Sequence, residues 1–279
     1  MNKIPFFLCL FTLLFFRQPD LSLAADLDKQ PYLVSELPFE IGERLIFRLR
    51  YGFITAGQAE MKVLALKNDA AYGQYYHIQT TARSARSFDW FYKVRDVVNS
   101  FMDAQMLYSL HFEKLLREGG YKADTFVDYF PADSVARVKY LRYKDGMKIR
   151  KKEEYEVKIP PGGVFDALSA FYYIRTLDLN SADTLYIPAH EKRKVYNLPV
   201  IVSGPEIVKV KAGKFRCWKL EPALMEEGIF KHEGKITIWL TDDALKIPVQ
   251  MKTKVIVGHI TAELIKIKGI SRKIPAKLK

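Results

Sequence analysis

The sequence predicts a mainly β protein, built as one large, strongly curved antiparallel sheet or barrel with a single helix packed on it or in it. Three observations predict this class. Apolar and polar side chains alternate almost everywhere after residue 42, turn-forming residues separate the alternating stretches, and one segment near the middle breaks the pattern. Alternation with a period of two is typical of strands that have one buried and one wet face.

The first predicted strand shows the alternation clearly. Leu45, Phe47 and Leu49 fall on one face, whereas Arg48 and Arg50 fall on the other. Similar stretches recur along the chain, so we expect about ten to fourteen antiparallel strands, and a sheet of that size must curl.

Turn signals join the predicted strands into hairpins. The triplet from Lys144 to Gly146 reads Lys-Asp-Gly, and Asp-Gly accepts the positive φ of a tight hairpin turn. Asp242 and Asp243 stand between two apolar runs, and we interpret them as a hairpin corner because Asp carboxylates bind nearby backbone N–H groups. Pro248 predicts a strand end or an edge. Gly258 predicts a further tight hairpin.

One segment has helical spacing instead. Val164, Leu168, Phe171 and Ile174 recur every three or four residues, two glycines precede them, and the interior has no glycine or proline. This pattern predicts a helix over about residues 165–178. A single helical turn is also predicted between Ala85 and Val94.

The N-terminal sequence is typical of a secretory signal peptide. A short basic start precedes an apolar run over residues 4–16, which is too short for the roughly 20 residues of a membrane span. We therefore predict a cleavable signal peptide at 1–24, a lead-in at 25–40, one β domain at 41–268 and a basic tail at 269–279. The expected location is the periplasm, with no stable transmembrane span after cleavage.

Composition narrows the range of partners. The chain carries 44 Lys and Arg against 32 Asp and Glu, a net charge of +12, spread over alternating positions. Nucleic acid is not an expected partner for an exported protein, whereas anionic lipid headgroups or acidic glycans would be attracted by such a field. Signal cleavage would leave Cys217 as the only cysteine, so no internal disulfide is expected.

The familiar catalytic and metal-binding motifs are missing. The sequence has no HExxH, CxxC or GxSxG motif and no glycine-rich phosphate loop, so we predict no metal, no cofactor and no catalytic residue. Asp166 and Ser169 would share a helix face, and we interpret them as a helix cap with a neighbouring hydroxyl. Cys217 is interpreted as a packed core thiol.

Aromatic side chains are the main candidates for ligand binding. The chain has 18 Phe, 16 Tyr and 3 Trp, and several cluster near the predicted helix and helical turn. Large curved sheets offer a concavity where apolar ligands bind. The residues that we predict to line such a groove are Trp90, Phe91, Tyr92, Phe171, Tyr172, Arg175 and Trp239.

Several separated stretches resemble a known family. They are GERLIFRLRYGFITAGQAEMKV at 42–63, FYKVRDVVNSFMD at 91–103, FDALSAFYYIRTLDL at 165–179, GPEIVKVKAGKFRCWKLEP at 204–222 and GKITIWLTDDALKIPVQMKTKVIVGHITAEL at 234–264. Together they are similar to the exported bacterial proteins grouped as domain of unknown function 3108. The resemblance implies an exported, mostly antiparallel β protein and assigns no catalytic residue.

A fainter resemblance, at the level of the fold, is to the periplasmic lipoprotein carriers. Their curved half-barrels hold acyl chains, and their strand pair of Trp, short turn and Pro is similar to Trp239, Asp242-Asp243 and Pro248. Function inferred from this likeness is analogy.

The leading hypothesis is a non-enzymatic periplasmic envelope protein that binds a lipid, lipoprotein, glycan or protein partner in its concave face. One alternative is an envelope hydrolase that uses carboxylates such as Asp166 or Asp243 in a cleft. Another is a scaffold that acts by strand-edge pairing.

Overall fold

A computed structural model describes residues 36–181, 183–223, 236–254 and 258–279. The predicted signal peptide and most of the predicted lead-in lie outside the described residues. Within the described part, neither α-helix is long and apolar enough to cross a membrane.

The described chain contains two α-helices, two short 3-10 turns and fifteen strands. The helices are α1 (Arg86–Asp89) and α2 (Ala167–Ile174), and the 3-10 turns are Pro131–Asp133 and Asp145–Met147. The strands are β1 (Arg44–Tyr51), β2 (Ile54–Asp69), β3 (Gly73–Ser84), β4 (Arg95–Asp103), β5 (Ser109–Glu118), β6 (Tyr121–Phe130), β7 (Val135–Tyr143), β8 (Ile149–Lys158), β9 (Thr184–Glu191), β10 (Lys194–Val210), β11 (Gly213–Pro222), β12 (Ile236–Thr241), β13 (Pro248–Lys254), β14 (His259–Lys268) and β15 (Lys277–Leu278).

All fifteen strands, one more than the ten to fourteen expected, belong to one antiparallel sheet, and the predicted single sheet is confirmed. Its order is β8-β7-β6-β5-β4-β3-β2-β1-β14-β13-β12-β11-β10-β9, and β15 pairs with β11. The sheet curls until its two edges approach each other: Arg193, between β9 and β10, forms an ion pair of 3.0 Å with Glu153 on β8. The architecture is therefore a curled, barrel-like sheet whose edge strands are not paired with each other.

The predicted alternation in β1 is confirmed. Leu45, Phe47 and Leu49 are buried in the core. Arg48 and Arg50 lie on the opposite face and both pair with Glu263 of the neighbouring β14, at 2.8 Å and 3.3 Å. Basic side chains on the outer face are thus partly neutralised by cross-strand partners, as is usual for antiparallel pairs.

The predicted hairpin turns that can be examined are confirmed. Gly146, with φ +66°, lies in the turn between β7 and β8. Asp242 and Asp243 lie between the paired strands β12 and β13. Pro248 begins β13, which is an interior strand, so it marks a strand end and not an edge. The turn predicted at Gly258 includes residues 255–257, which lie outside the described residues.

Helix α2 is confirmed but is shorter than predicted. It begins after Asp166, whose carboxylate accepts hydrogen bonds from the backbone N–H groups of Leu168 and Ser169 at 2.8 and 3.0 Å. Every residue from Leu168 to Ile174 is buried, so the helix lies inside the curl of the sheet. A helix that is apolar on all sides is typical of such a buried position.

Arg175, directly after α2, anchors the helix. Its guanidinium forms a bidentate ion pair with the Glu43 carboxylate at 2.7 and 2.8 Å, and it donates to the backbone carbonyls of Pro38 and Leu245 at 2.8 and 3.2 Å. Both side chains of the pair are fully buried. The residues joined to Arg175 precede β1 or lie between β12 and β13, so α2 plugs the end of the barrel where β1 begins.

The C-terminal segment, predicted to be a basic tail, is instead part of the sheet. β15 pairs with β11, and Ala276 is buried and donates its N–H to the Asp243 carboxylate at 3.0 Å. Ile274 covers an outer-face cluster that includes Phe215 and Cys217. A strand of only two residues shows almost no alternation of apolar and polar side chains, so the sequence pattern does not predict it.

Replacing Arg175 with Met should lower the free energy of unfolding by about 3–5 kcal/mol, because it leaves the Glu43 carboxylate buried and unpaired. Urea denaturation measures the change. Arg137→Met is the matched control, since its pair with Glu156 is exposed and such pairs contribute about 0–1 kcal/mol. A loss in Arg175→Met no larger than in the control would contradict a stabilising role for the buried pair.

Candidate functional site

The residues predicted to line a groove lie in three separate places. Phe171, Tyr172 and Arg175 are buried on and after α2 in the main core. The Tyr172 ring packs edge-on against Phe39 with centroids 5.2 Å apart. These three residues are packing and anchoring groups, which corrects the expectation that they face an open groove.

The other predicted residues are distributed between the far end of the barrel and its outer face. Trp90 and Phe91 follow α1 and are 84% and 65% exposed. Tyr92 is half-buried beside Gly119. Trp239 lies on the outer face of β12, where its indole N–H donates to Glu206. The two predicted aromatic clusters therefore do not form one site.

A different set of side chains shares the concave face of the sheet at the end away from the α2 plug. We call this set the Tyr/Arg patch. In the sheet, Tyr121 lies opposite the inward-facing Glu118. Tyr140 lies opposite Thr125 on one side and Glu153 on the other. Alternate residues of β6, β7 and β8 therefore face the interior. The members of the Tyr/Arg patch are half-buried or exposed, and they are Tyr121, Tyr140, Arg142, Glu153, Tyr155 and Arg193.

The patch is held together by arginine–tyrosine stacking. The Arg142 guanidinium lies 3.7 Å from the centroid of the Tyr121 ring, and the Arg193 guanidinium lies 3.8 Å from that of Tyr155. The hydroxyl oxygens of Tyr121 and Tyr140 are 3.3 Å apart. Stacking orders the long arginine side chains, so less entropy is lost when they bind a ligand.

A buried charged layer lies beside the patch on the same face. Lys114 of β5 pairs with Glu191 of β9 at 3.3 Å, and both side chains are almost fully buried. The neighbouring His190 contacts the Tyr129 hydroxyl through Nδ1 at 3.0 Å and the Lys192 carbonyl through Nε2 at 2.9 Å. Burial lowers the pKa of His190, which favours its neutral form.

Two acids complete this layer. Asp96 accepts a hydrogen bond from the Arg117 backbone N–H at 2.8 Å, and Glu118 beside it is fully buried. No N–H or hydroxyl donor among the described residues reaches the Glu118 carboxylate, whose side-chain hydrogen-bond partner is the Asp96 carboxyl group. Burial, reinforced by the Asp96 charge, raises the pKa of Glu118 to about 9, while burial raises the pKa of Asp96 to about 6. Around neutral pH the pair therefore holds a proton.

The patch is suited to bind a polar ligand that carries negative charge. Arg142 and Arg193 place two cations on its surface, whereas Glu153 is its one carboxylate. Arginine forks match carboxylate and phosphate oxygens, and tyrosine rings offer flat faces and hydroxyl groups. Within the described residues, no group of three potential metal-ligating side chains was found.

Asp166 and Asp243, the acids considered as catalysts of an envelope hydrolase, both accept hydrogen bonds from neighbouring groups. Besides capping α2, the buried Asp166 accepts hydrogen bonds from the hydroxyls of Ser100 and Ser109 at 2.7 and 2.6 Å. Asp243 accepts from Thr241 Oγ1, from two backbone N–H groups of its own turn and from Ala276. Both carboxylates serve local structure. The Cys217 thiol is buried, as predicted, and burial raises its pKa to about 12.

The sequence contained a weak signal for the patch. Ala136, Val138, Tyr140 and Arg142 alternate on one face, so the face that begins apolar ends in a tyrosine and an arginine. The basic residues of this region lie at alternating positions, and the pattern alone does not show which of them face the interior. Arg193 had no such signal, because it reaches the patch only through the approach of the two sheet edges.

Fold and patch together define a class: a curled antiparallel β-sheet protein with a plugged end and a polar concave face. A family model described as protein of unknown function (DUF3108) matches residues 46–265, so the chain belongs to this family. No curated protein matched the chain.

One solved structure supports the fold. A β-barrel-like protein of domain of unknown function DUF1849 from Brucella abortus is 12% identical, with a TM-score of 0.53, over 83% of this chain and 98% of that chain. A candidate exported protein with a YmcC-like fold from Bacteroides fragilis is 11% identical, with a TM-score of 0.35, over 84% and 98%. At these identities the likeness to the first structure concerns the fold alone.

Glu118 should make the protein less stable as pH rises. A carboxyl group whose pKa is raised on folding favours the protonated state, so its contribution is lost as pH increases from the unfolded value, about 4.5, toward about 9. We expect the free energy of unfolding to fall by on the order of a few kcal/mol between pH 5 and pH 9, and Glu118→Gln to flatten this slope.

Urea denaturation between pH 5 and pH 9 measures the free energy of unfolding, and Glu156→Gln, at an exposed carboxylate, is the control. The cations whose charge acts on the acid pair are Lys114, beside Glu118, and Arg117, beside Asp96. If the free energy of unfolding changed equally with pH in wild type and in Glu118→Gln, Glu118 would not be the cause of the pH dependence.

Proposed function

We propose that this protein is a non-enzymatic binding protein of the bacterial cell envelope, and that its Tyr/Arg patch holds an anionic group of an envelope lipid or glycan. The observation that carries the proposal is the pair of guanidinium groups stacked over inward-facing tyrosines, 3.7 and 3.8 Å from the ring centroids. Ordinary core packing does not require cations on a concave face.

The chemistry of the patch favours an anion over a neutral apolar chain. Arg142 uses one nitrogen for the backbone carbonyl of Lys122 at 2.7 Å, and its stacked position leaves other N–H groups for a ligand. Glu153, which is 27% exposed at the side chain, pairs with Arg193 and Lys151. Arg142, Arg193 and Lys151 therefore place three positive charges against the one carboxylate of Glu153, so the positive charge is in excess.

The proposed location is the periplasm. Support comes from the N-terminal sequence, where a basic start and an apolar run over residues 4–16 are typical of a secretory signal. In that compartment the chain would meet phospholipid headgroups and acidic glycans, which complement its net charge of +12.

Neutralising the patch should abolish ligand binding. The double variant Arg142→Gln and Arg193→Gln removes both stacked cations, and we expect at least about a tenfold loss of affinity, since charge-assisted hydrogen bonds contribute roughly 1.5–3 kcal/mol each. Isothermal titration with short-chain phosphatidylglycerol and with an acidic oligosaccharide measures the affinity and separates lipid from glycan. Native mass spectrometry of protein isolated from its own envelope identifies a co-purifying ligand.

Arg137→Gln is the matched control. Arg137 is on the same strand as Arg142 but faces outward, where its guanidinium lies 4.8 Å from the Phe130 ring. Affinity should be unchanged in this variant. If all variants bind equally well, or if wild type binds neither anionic probe, the proposal fails.

A further inference from the structure

Four large apolar side chains are exposed at one end of the barrel. Phe53 and Ile54, at the turn between β1 and β2, are 96% and 58% exposed, and Trp90 and Phe91, between β3 and β4, are 84% and 65% exposed. β2 pairs with β3, and Ala85 donates its N–H to Ala56 at 2.9 Å, so the two loops are neighbours. We call these four residues the apolar tip.

Contacts within the loop from 85 to 94 fix the position of the exposed Trp90 and Phe91. Phe88 and Tyr92 pack against the main core, and their rings anchor the loop. Asp89 is bound by the Ser84 hydroxyl and by Arg95, whose guanidinium reaches it at 2.6 and 3.2 Å. The exposure of the tip is therefore a property of an anchored loop and not of a frayed end.

The surroundings of the tip are basic. The segment from 83 to 95 carries four basic side chains, Arg83, Arg86, Lys93 and Arg95, against the single acid Asp89, which Arg95 already neutralises. Lys254, at the end of β13, is exposed at the same end of the sheet. Among the described residues of these loops, exposed apolar side chains therefore lie next to an excess of basic side chains.

Isolated exposed aromatics are common on soluble proteins, but a cluster of this size marks an interaction surface. Tryptophan and phenylalanine are favourable at the headgroup level of a bilayer, and adjacent lysines and arginines add about 1 kcal/mol each at an anionic surface. A protein partner would need a complementary acidic face around an apolar socket, whereas an anionic bilayer offers both features continuously.

We propose that the apolar tip docks this protein on an anionic lipid bilayer, with its four side chains inserted among the headgroups and the flanking basic residues on lipid phosphates. Docking is reversible and peripheral, because four side chains bury far less apolar surface than a spanning helix. The tip and the Tyr/Arg patch lie at the same end of the strands, so docking would bring the patch toward the membrane surface.

Co-sedimentation with sucrose-loaded vesicles tests the proposal on the full chain. We expect binding to vesicles of phosphatidylcholine with phosphatidylglycerol, much weaker binding to phosphatidylcholine alone, and a decrease with added salt. Trp90→Ala with Phe91→Ala should weaken binding at least about tenfold, since a buried large apolar side chain contributes roughly 1.5–3 kcal/mol. The double variant of the patch, Arg142→Gln with Arg193→Gln, should still dock, which separates this inference from the proposed function.

The matched control removes apolar surface elsewhere. Tyr186 and Ile207 are 62% and 56% exposed on β9 and β10, and their replacement by Ala should leave vesicle binding unchanged. Brominated lipids should quench the fluorescence of wild type, and Trp90→Phe should lose this quenching while it still binds. No vesicle binding by wild type, or equal binding by the tip variant and wild type, would overturn the proposal.

Discussion

The buried ion pair between Arg175 and Glu43 fixes the helix α2 inside the curled sheet. Two charges removed from water are destabilising unless their hydrogen bonds are satisfied, and here the guanidinium serves both carboxylate oxygens and two backbone carbonyls. The pair joins α2 to the start of β1 and to the corner between β12 and β13. Elements far apart in sequence are thereby held at one end of the curled sheet, and the helix becomes a plug.

The plug divides the interior into two unlike halves. Around α2, aromatic and aliphatic side chains form the main core, and Phe165 stacks on Tyr173 with centroids 4.3 Å apart. At the other end the same concave face carries stacked tyrosines and arginines above buried charges. Interior charge is tolerated where it is paired, as with Lys114 and Glu191, or where a proton is held, as with Glu118. Among the described residues, the stacked arginines therefore lie at the end away from the plug.

The net positive charge has several different local roles. Arg48 and Arg50 neutralise Glu263 on the outer face, whereas Arg142 is ordered by a tyrosine on the inner face. Arg86 and Lys93 are exposed in the loop that carries Trp90 and Phe91 of the apolar tip. Long-range attraction to anionic partners follows from the total charge, but the place where a partner binds depends on which charges lack a cross-strand acid.

Features that depend on neighbours along the chain could be predicted from the amino-acid sequence. Period-two alternation predicted the strands, Asp-Gly and Asp-Asp predicted hairpin turns, and three- to four-residue spacing predicted α2 with Asp166 as its cap. Contacts across the sheet could not be predicted in this way, because they form only in the folded molecule. Lys114 meets Glu191 across 77 residues, and Arg193 reaches the patch because two sheet edges approach each other. Such contacts depend on register and curl, which arise from the summed packing of fifteen strands and leave no local pattern in the sequence.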